Sequence, residues 1–462
     1  MAAWDLGALA RAAEAQIVGG ALPVSVEAVG TDTRSLPPAS LFVALRGERF
    51  DGHAFVAAAV NAGARAVLVD ERGSADLGAV SVPRLVVRDT LTALGDIARE
   101  VRRRIGRPLV AVTGSNGKTT TKELLYAALS ARGPVHKTTG NLNNLVGLPL
   151  TMLAWPTAAW AAVLEMGMSA PGEIARLTEI AAPTVGVITN VGPAHLSGLG
   201  TVADVGRAKG ELYTGLSPEA TAVVNADDPV LAAVAVPLLG ARKRLTFGSS
   251  RAADVRVVGQ RLRGETSSVD LEVLGRPCRL TIPLVGAHNA MNAAAAVAGA
   301  LALGLTAGEI QAAIGGVVVP GGRLRAVRIE AKGIHLIDDT YNANPASMQA
   351  AFLALAQLSQ GRRVAVLSDM LELGPDAPAL HYGVGKAAAV SGVHLVLTVG
   401  EHAAEIARGA TEAGAHASHC GSLAELCQTL DRVLTAGDWV LVKGSRGMRM
   451  ERVVAHLEGR SA

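Results

Sequence analysis

Residues 107–113 (RPLVAVT) read as a buried-strand run that stops at Gly114, and a helical pattern begins after Lys118. A buried strand that passes through a glycine loop into a helix is a narrow instruction. It asks for a parallel sheet and leaves backbone N–H groups at a helix N-terminus. The loop itself, residues 113–120 (TGSNGKTT), has the residue types that an anion needs. Gly114, Ser115, Asn116 and Gly117 let successive N–H groups turn inward on phosphate oxygens, with Thr120 following in the helix. Lys118 supplies a point charge to the β- and γ-phosphates, and Thr119 offers a hydroxyl to Mg²⁺. The usual spacing of such loops has a glycine at position 112, where Val112 stands, so this is a variant. The plainer reading is a tight turn with a surface lysine.

At 462 residues the chain exceeds what one hydrophobic core supports, and roughly two to four domains are expected. Half of the residues are apolar, which makes a membrane protein worth testing. Residues 138–164 and 280–308 lack Asp, Glu, Lys and Arg, but the first is broken by Asn141, Asn143, Asn144 and prolines. The second is broken by Pro283, His288, Asn289 and Asn292, so no membrane insertion is expected. The apolar excess is alanine, valine and leucine, which suits an α/β class with both faces of parallel strands covered. Asp5 precedes any basic residue and Glu14 interrupts the alanine-rich start, unlike a secretory signal. Cys278, Cys420 and Cys427 have no zinc or redox spacing and suit a reducing, cytoplasmic setting. A net charge of +3 with interspersed signs gives no nucleic-acid footprint, and Arg102, Arg103 and Arg104 read as the solvated face of a helix.

Strands are expected at 41–45 and 66–69, with an alanine-rich helix between them, giving a small αβ unit over 1–89. Runs at 161–164, 184–189 and 222–225 read as further parallel strands, and 289–303 as a helix. This makes a central unit over 90–319. Beyond the Pro320-Gly321-Gly322 linker, runs at 334–337, 364–367, 393–399 and 439–442 alternate with helical stretches. A second doubly wound unit over 320–462 follows.

Chemistry belongs at the ends of such strands. Glu165 closes one strand and His195 follows another, so together they can hold Mg²⁺ against the loop. Spacing alone leaves open a solvated strand end for Glu165 and a packed loop histidine for His195. Asn141, Asn143 and Asn144 suit a polar substrate, but loop turns use them equally. Asn225, Asp227 and Asp228 read as an Asx turn before Pro229, and Asn289 as a helix cap. Residues 338–345 (DDTYNANP) place two carboxylates, a ring and two amides at a strand end, where a ribose and adenine can use them. Lys443, Ser445 and Arg446 open the final helix and suit a carboxylate or phosphate.

Taken together, TGSNGKTTTKE, GNLNNLVGLPLT, LEMGMSAPGEI, ITNVGPAHL, AKGEL, NADDP, GAHNAMNA, GRLR, IDDTYNANP and VKGSRGMRME resemble the Mur ligase family over nearly the whole chain. DTR and LFVALRGERFDGH near the N-terminus belong to the same resemblance. GNLNN, DDTYNANP and KGSRGMRME resemble the members that join D-alanyl-D-alanine to a UDP-muramoyl-tripeptide through an acyl phosphate. The resemblance implies three domains, namely a nucleotide-sugar unit, a central ATPase and a Rossmann-like C-terminal unit. It assigns Lys118 and Thr119 to ATP and Mg²⁺, Glu165 and His195 to the metals, and Asn289, Arg323, Asp339 and Tyr341 to ATP. Thr33, Arg34 and the stretch containing Arg49, Asp51 and His53 would face the uridine nucleotide. Asn141, Asn143, Asn144, Asn342, Asn344, Lys443, Ser445 and Arg446 are carried as substrate-binding candidates. Lys209, fourteen residues after His195, falls where the family places a carbamate-bearing lysine that serves the metal. The chain departs from the family pattern at Thr33 for serine, and at Ala39 and Ser368 for glycine. Another amino-acid ligase of the family is the near rival, which the NANP string argues against. A P-loop NTPase without ligase activity is the more distant one. A monomer is expected.

Overall fold

A computed structural model describes residues 3–20, 22–47, 50–78, 80–194 and 196–460. Arg49 and His195 lie outside the described residues. Three larger sheets follow one another along the described residues, beside a two-stranded antiparallel pair of Trp4–Asp5 with Ser25–Val26. The first has the strand order Gln16–Val18, Arg84–Val87, Ala66–Asp70, Ser40–Val43, Ala28–Gly30. Its pairings are parallel except that of Gln16–Val18 with Arg84–Val87. The alternation of side chains splits its core: Leu41, Val43 and Leu68 pack toward the rest of the chain, while Phe42, Val67 and Val69 pack under the short helix Val56–Asn61.

Asp89 caps the helix Thr90–Ile105, accepting from Thr92 N at 2.6 Å, and Gly106 ends it in the left-handed region. Leu94, Ile97, Ala98 and Val101 form its buried stripe. The arginine run that follows does not form one solvated face. Arg103 and Arg104 are exposed and pair with Glu100, but Arg102 continues the buried stripe. Its guanidinium donates to the carbonyls of Ala181 (2.7 Å) and Ala182 (3.1 Å), satisfying groups left free where the helix Glu173–Ala181 ends.

The central sheet has nine strands. Its parallel part runs Val135–Lys137, Ala161–Glu165, Leu109–Thr113, Val185–Ile188, Thr221–Asn225, Lys243–Gly248 and on to Val255–Arg263. Thr266–Val273 and Arg276–Ile282 extend it antiparallel, a ribbon the sequence reading did not include. Leu109–Thr113 is buried along its whole length, with Leu109 and Ala111 facing one core and Val110 and Val112 the other. The helices Lys118–Leu129 and Ala287–Ala302 cover that second face.

The third sheet has the order Arg325–Ile329, Ile334–Asp339, Trp439–Lys443, Arg363–Ser368, Leu395–Val399, His416–Cys420. Only the first pair is antiparallel. The α/β, three-domain class is therefore as expected. Among the described residues no helix is long and apolar enough to cross a membrane.

Two family departures have local consequences. Ser368 is fully buried, and its hydroxyl has no hydrogen-bond partner. Ala39 sits at φ 59°, where a Cβ crowds the backbone and glycine does not. Ala39→Gly is expected to raise unfolding free energy by about 0.5–1 kcal/mol, the relief exceeding the entropy glycine adds to the unfolded chain. A higher urea midpoint at unchanged slope checks this, and a lower midpoint refutes it.

Candidate active site

Parallel pairing sets the ends of three strands side by side, with Glu165 opposite Val112 and Ile188 opposite Thr113. The glycine loop leaves from the middle strand and is held from one side. Asn190 accepts from Asn116 N at 3.0 Å and returns its amide to Asn116 O at 3.0 Å, while Thr189 donates to the same oxygen at 2.6 Å. Ser115 bonds both the carbonyl and the N–H of Gly192. A side chain at Gly114 would meet the Thr189 hydroxyl at 1.8 Å, and one at Gly117 would meet Asn292 Oδ1 at 2.2 Å. Both glycines also have positive φ, so neither position tolerates another residue without rearrangement.

Lys118 is the first residue of the helix, half-buried, and not on a solvated loop as a surface-lysine reading would have it. Its amine donates to Gly114 O at 2.8 Å. Burial lowers its pKa, the nearby Glu165 carboxylate opposes that shift and Arg323 adds to it. The N–H groups of this first helical turn, which includes Thr119 and Thr120, lack intrahelical acceptors and face the same end.

Glu165 is 3% exposed and each carboxylate oxygen is held: Thr119 Oγ1 donates at 2.7 Å and Asn143 Nδ2 at 2.9 Å. Thr138 Oγ1 accepts from Glu165 N, and the buried Lys122 donates to Thr138 O. A buried carboxylate beside a hydroxyl fits a hard cation that takes its remaining ligands from phosphates and water. The described residues contain no group of three or more His, Cys, Asp or Glu that would hold a metal by itself. Lys209 is 2% exposed on the helix Val202–Thr214. Burial and then the charge of Lys118 push its pKa well below the usual lysine value.

The C-terminal unit reaches into this cluster. Arg323 Nη2 donates to Thr119 Oγ1 at 2.7 Å, and its guanidinium lies 3.9 Å over the Tyr341 ring. Asn344 Nδ2 donates to Asn116 Oδ1 at 2.8 Å. Asp339 accepts from Lys443 Nζ at 2.6 Å and from Leu324 N, and Lys443 also donates to Asn342 O. Lys443 is thus buried in an internal ion pair. Ser445 accepts from Leu371 N and bonds Ala343 O, whereas Arg446 and Asn342 are exposed. Asn289 does not cap its helix. That place belongs to Gly286, and Asn289 donates to Val285 O and accepts from Asn292 beneath Gly117.

The N-terminal candidates form a separate cluster. Arg34 is exposed and closes on Asp32, with Thr33 half-buried between them. His53 is buried with both ring nitrogens used: Nε2 accepts from Asp70 N at 3.1 Å, so Nδ1 carries the proton toward Asp51 at 2.7 Å. Arg46 joins Asp51 and Asp70, and its bidentate bond holds the Asp70 carboxyl down to about 2. Asp51 and His53 therefore shape this loop from within. Asn144 accepts from Val146 N and Gly147 N and spends its oxygen on a turn, while Asn141 is exposed. Asn225 makes the expected turn by accepting from Asp227 N, and Asp228 caps the helix Pro229–Val234. Sequence reasoning missed Asn190, Thr138, Arg46 and Asn292, whose only signal was a polar residue next to a strand or helix end.

Comparison with known proteins matches the family descriptions "Mur ligase family, catalytic domain" over residues 25–102, "Mur ligase middle domain" over 112–300 and "Mur ligase, glutamate ligase domain" over 322–446. The UDP-N-acetylmuramoyl-tripeptide--D-alanyl-D-alanine ligase of Bacillus subtilis (strain 168) is 37% identical, covering 94% of this chain and 93% of its own. A crystal structure of MurF from Acinetobacter baumannii superposes with a TM-score of 0.92 at 32% identity over 100% of both chains. The MurF ligase of Thermotoga maritima in complex with ADP gives 0.82 at 29% identity, over 94% of this chain and 97% of that one. With identity above 30% across nearly the full length, the chain belongs to the Mur ligase family.

Proposed function

We propose that the protein is an ATP-dependent ligase that joins D-alanyl-D-alanine to UDP-N-acetylmuramoyl-tripeptide, forming the UDP-muramoyl-pentapeptide used in peptidoglycan synthesis. The observation that carries it is the meeting of two units on one hydroxyl, where Thr119 donates to Glu165 and accepts from Arg323. A ligase needs its nucleotide site completed by the unit that brings the acceptor, and a simple NTPase switch does not. The full-length relatives named above carry this activity in their names.

In the first step a carboxylate oxygen of the tripeptide attacks the γ-phosphorus, the bond to the ADP oxygen breaks, and ADP leaves. The amine of the dipeptide then attacks the acyl carbon. The carbon–oxygen bond to phosphate breaks, inorganic phosphate departs and the amine loses a proton. Lys118, Arg323 and the helical N–H groups set positive charge around the transferring phosphoryl group. Mg²⁺ bound with ATP supplies further charge there, and Thr119 and Glu165, with His195 by family resemblance, are the residues that would hold it. Contact between the central and C-terminal units would keep water from the acyl phosphate.

Tyr341, Asp339 and Asn289 line the nucleotide side of this reading. Asn143, Asn342 and Arg446 stand with the acceptor substrates, and Thr33 and Arg34 with the uridine nucleotide. The three units divide near residues 89 and 319, and the enzyme works as a cytoplasmic monomer. Lys209 fits a carbamate. Burial disfavours its charged form, and the neutral amine forms a nitrogen–carbon bond with CO₂ and releases a proton, placing an anion in a cluster otherwise rich in cations.

Phosphate release is expected only with ATP, tripeptide nucleotide and dipeptide all present, and equal release without the dipeptide would favour the NTPase switch. Lys118→Ala should lower turnover about a hundredfold or more with unchanged melting. Near-normal turnover refutes the loop assignment. Lys209→Ala should lose most activity, regain part of it with acetate, and lose the carbamate signal seen by NMR after isotope-labelled bicarbonate. Lys209→Arg should not be rescued, because a permanent cation fills the space. A bare amine in the parent protein with Mg²⁺ and nucleotide bound refutes the carbamate.

A further inference from the structure

Asn344 has two jobs that its two amide atoms keep apart. The residue precedes the helix Pro345–Leu358 in extended conformation, and its Oδ1 accepts from Ser347 N at 2.9 Å while its own N–H donates to Ser347 Oγ at 2.9 Å. That is a complete capping box, and it fixes which way the carboxamide points. With the oxygen committed to the helix, Nδ2 is left to donate to Asn116 Oδ1 in the glycine loop at 2.8 Å. The residue is 8% exposed, so the bond is shielded from competing water.

Both ends of this bond are anchored. Asn116 is fixed at its backbone N–H and carbonyl by Asn190 and Thr189. The segment carrying Asn344 is fixed by Lys443 at Asn342 O and by Ser445 at Ala343 O. A rigid loop is thus tied by one carboxamide to a rigid strand end of another unit. A residue whose only purpose was capping could be serine at no loss of helix stability. Serine, however, is too short to reach Asn116 while capping.

We infer that Asn344 is a positioning residue for closure, a latch whose carboxamide holds the C-terminal unit on the phosphate loop. It acts through Asn116 and not by touching a substrate. The role in turnover rests on the ligase reading above, whereas the latch itself is a bond between two units of the chain. One neutral hydrogen bond tilts a closed–open equilibrium by about three- to tenfold, which is the size of effect to expect.

The test is Asn344→Ser, with Asn344→Ala as the variant that loses cap and latch together. Fluorophores on the central and C-terminal units report the interdomain distance in the ligand-free protein. Asn344→Ser is expected to keep the parent melting temperature, shift the distances toward open and lower kcat about three- to tenfold. In a double-mutant cycle with Asn116→Ala, the two effects should be less than additive, because either change breaks the same bond. Unchanged distances in Asn344→Ser, or full additivity with Asn116→Ala, overturns the latch. A melting loss in Asn344→Ser equal to that of Asn344→Ala, with distances unmoved, makes the residue a helix cap alone and also overturns it. The distance measurement uses no substrate, so it separates failure of the latch from failure of the ligase reading, which phosphate release by the parent protein tests.

Discussion

Everything at the centre of this molecule depends on the buried carboxylate of Glu165 and the hydroxyl of Thr119 that it accepts from. An uncompensated charge at 3% exposure is costly, and the surroundings are arranged to limit that cost. Thr119 and Asn143 donate to the two oxygens, and Lys118 and Arg323 bring opposite charge close. The cations then outnumber the anion. Burial lowers the pKa of both lysines first, Arg323 adds to the shift at Lys118 and Lys118 adds to that at Lys209, as in a pocket short of negative charge. A polyphosphate has the charge this pocket lacks, and it would meet groups of two units there, Lys118 and Arg323.

The scaffold's contribution is alignment. Parallel strands buried on both faces end at one edge, and register puts residues from three strands within hydrogen-bonding distance there. The glycine loop keeps its shape because Thr189, Asn190 and Asn292 press on it from neighbouring elements, with no room for a Cβ at Gly114 or Gly117. In the C-terminal unit the Asp339–Lys443 pair does the corresponding work. It joins two adjacent parallel strand ends and orients the segment from Thr340 to Asn344 toward the loop.

Much of the fold was legible. The run at 107–113 and its glycine exit marked a buried strand, because a strand buried on both faces leaves an unbroken apolar stretch, here Leu109 to Val112. The ribbon from Val255 to Ile282 was not found. Its outer strands carry arginines, and Thr266–Val273 alternates buried with half-buried positions, so the ribbon lacks the continuous run that marks a parallel strand. Arg102 was misread for a related reason. Charge suggests solvent, but the helical period places that residue below Ala98 on the buried stripe, where two free carbonyls await it.

The sequence by itself determined the chemistry that local patterns can encode: a phosphate loop after a buried strand, strand-end candidates at Glu165 and Asp339, and strings enough to place the chain in its family. It did so because such features are contiguous, set by residues one to four positions apart. Only the tertiary structure decided which partner within the chain each amide takes. Asn143 reaches Glu165 while Asn144 turns the chain, and Asn289 supports the loop from below where a cap was expected. Asn344, 228 positions from Asn116, bonds it across the cleft. An amide has the same donors and acceptors in every one of these roles, so composition and spacing cannot distinguish them. The choice is made by partners that come from other sheets.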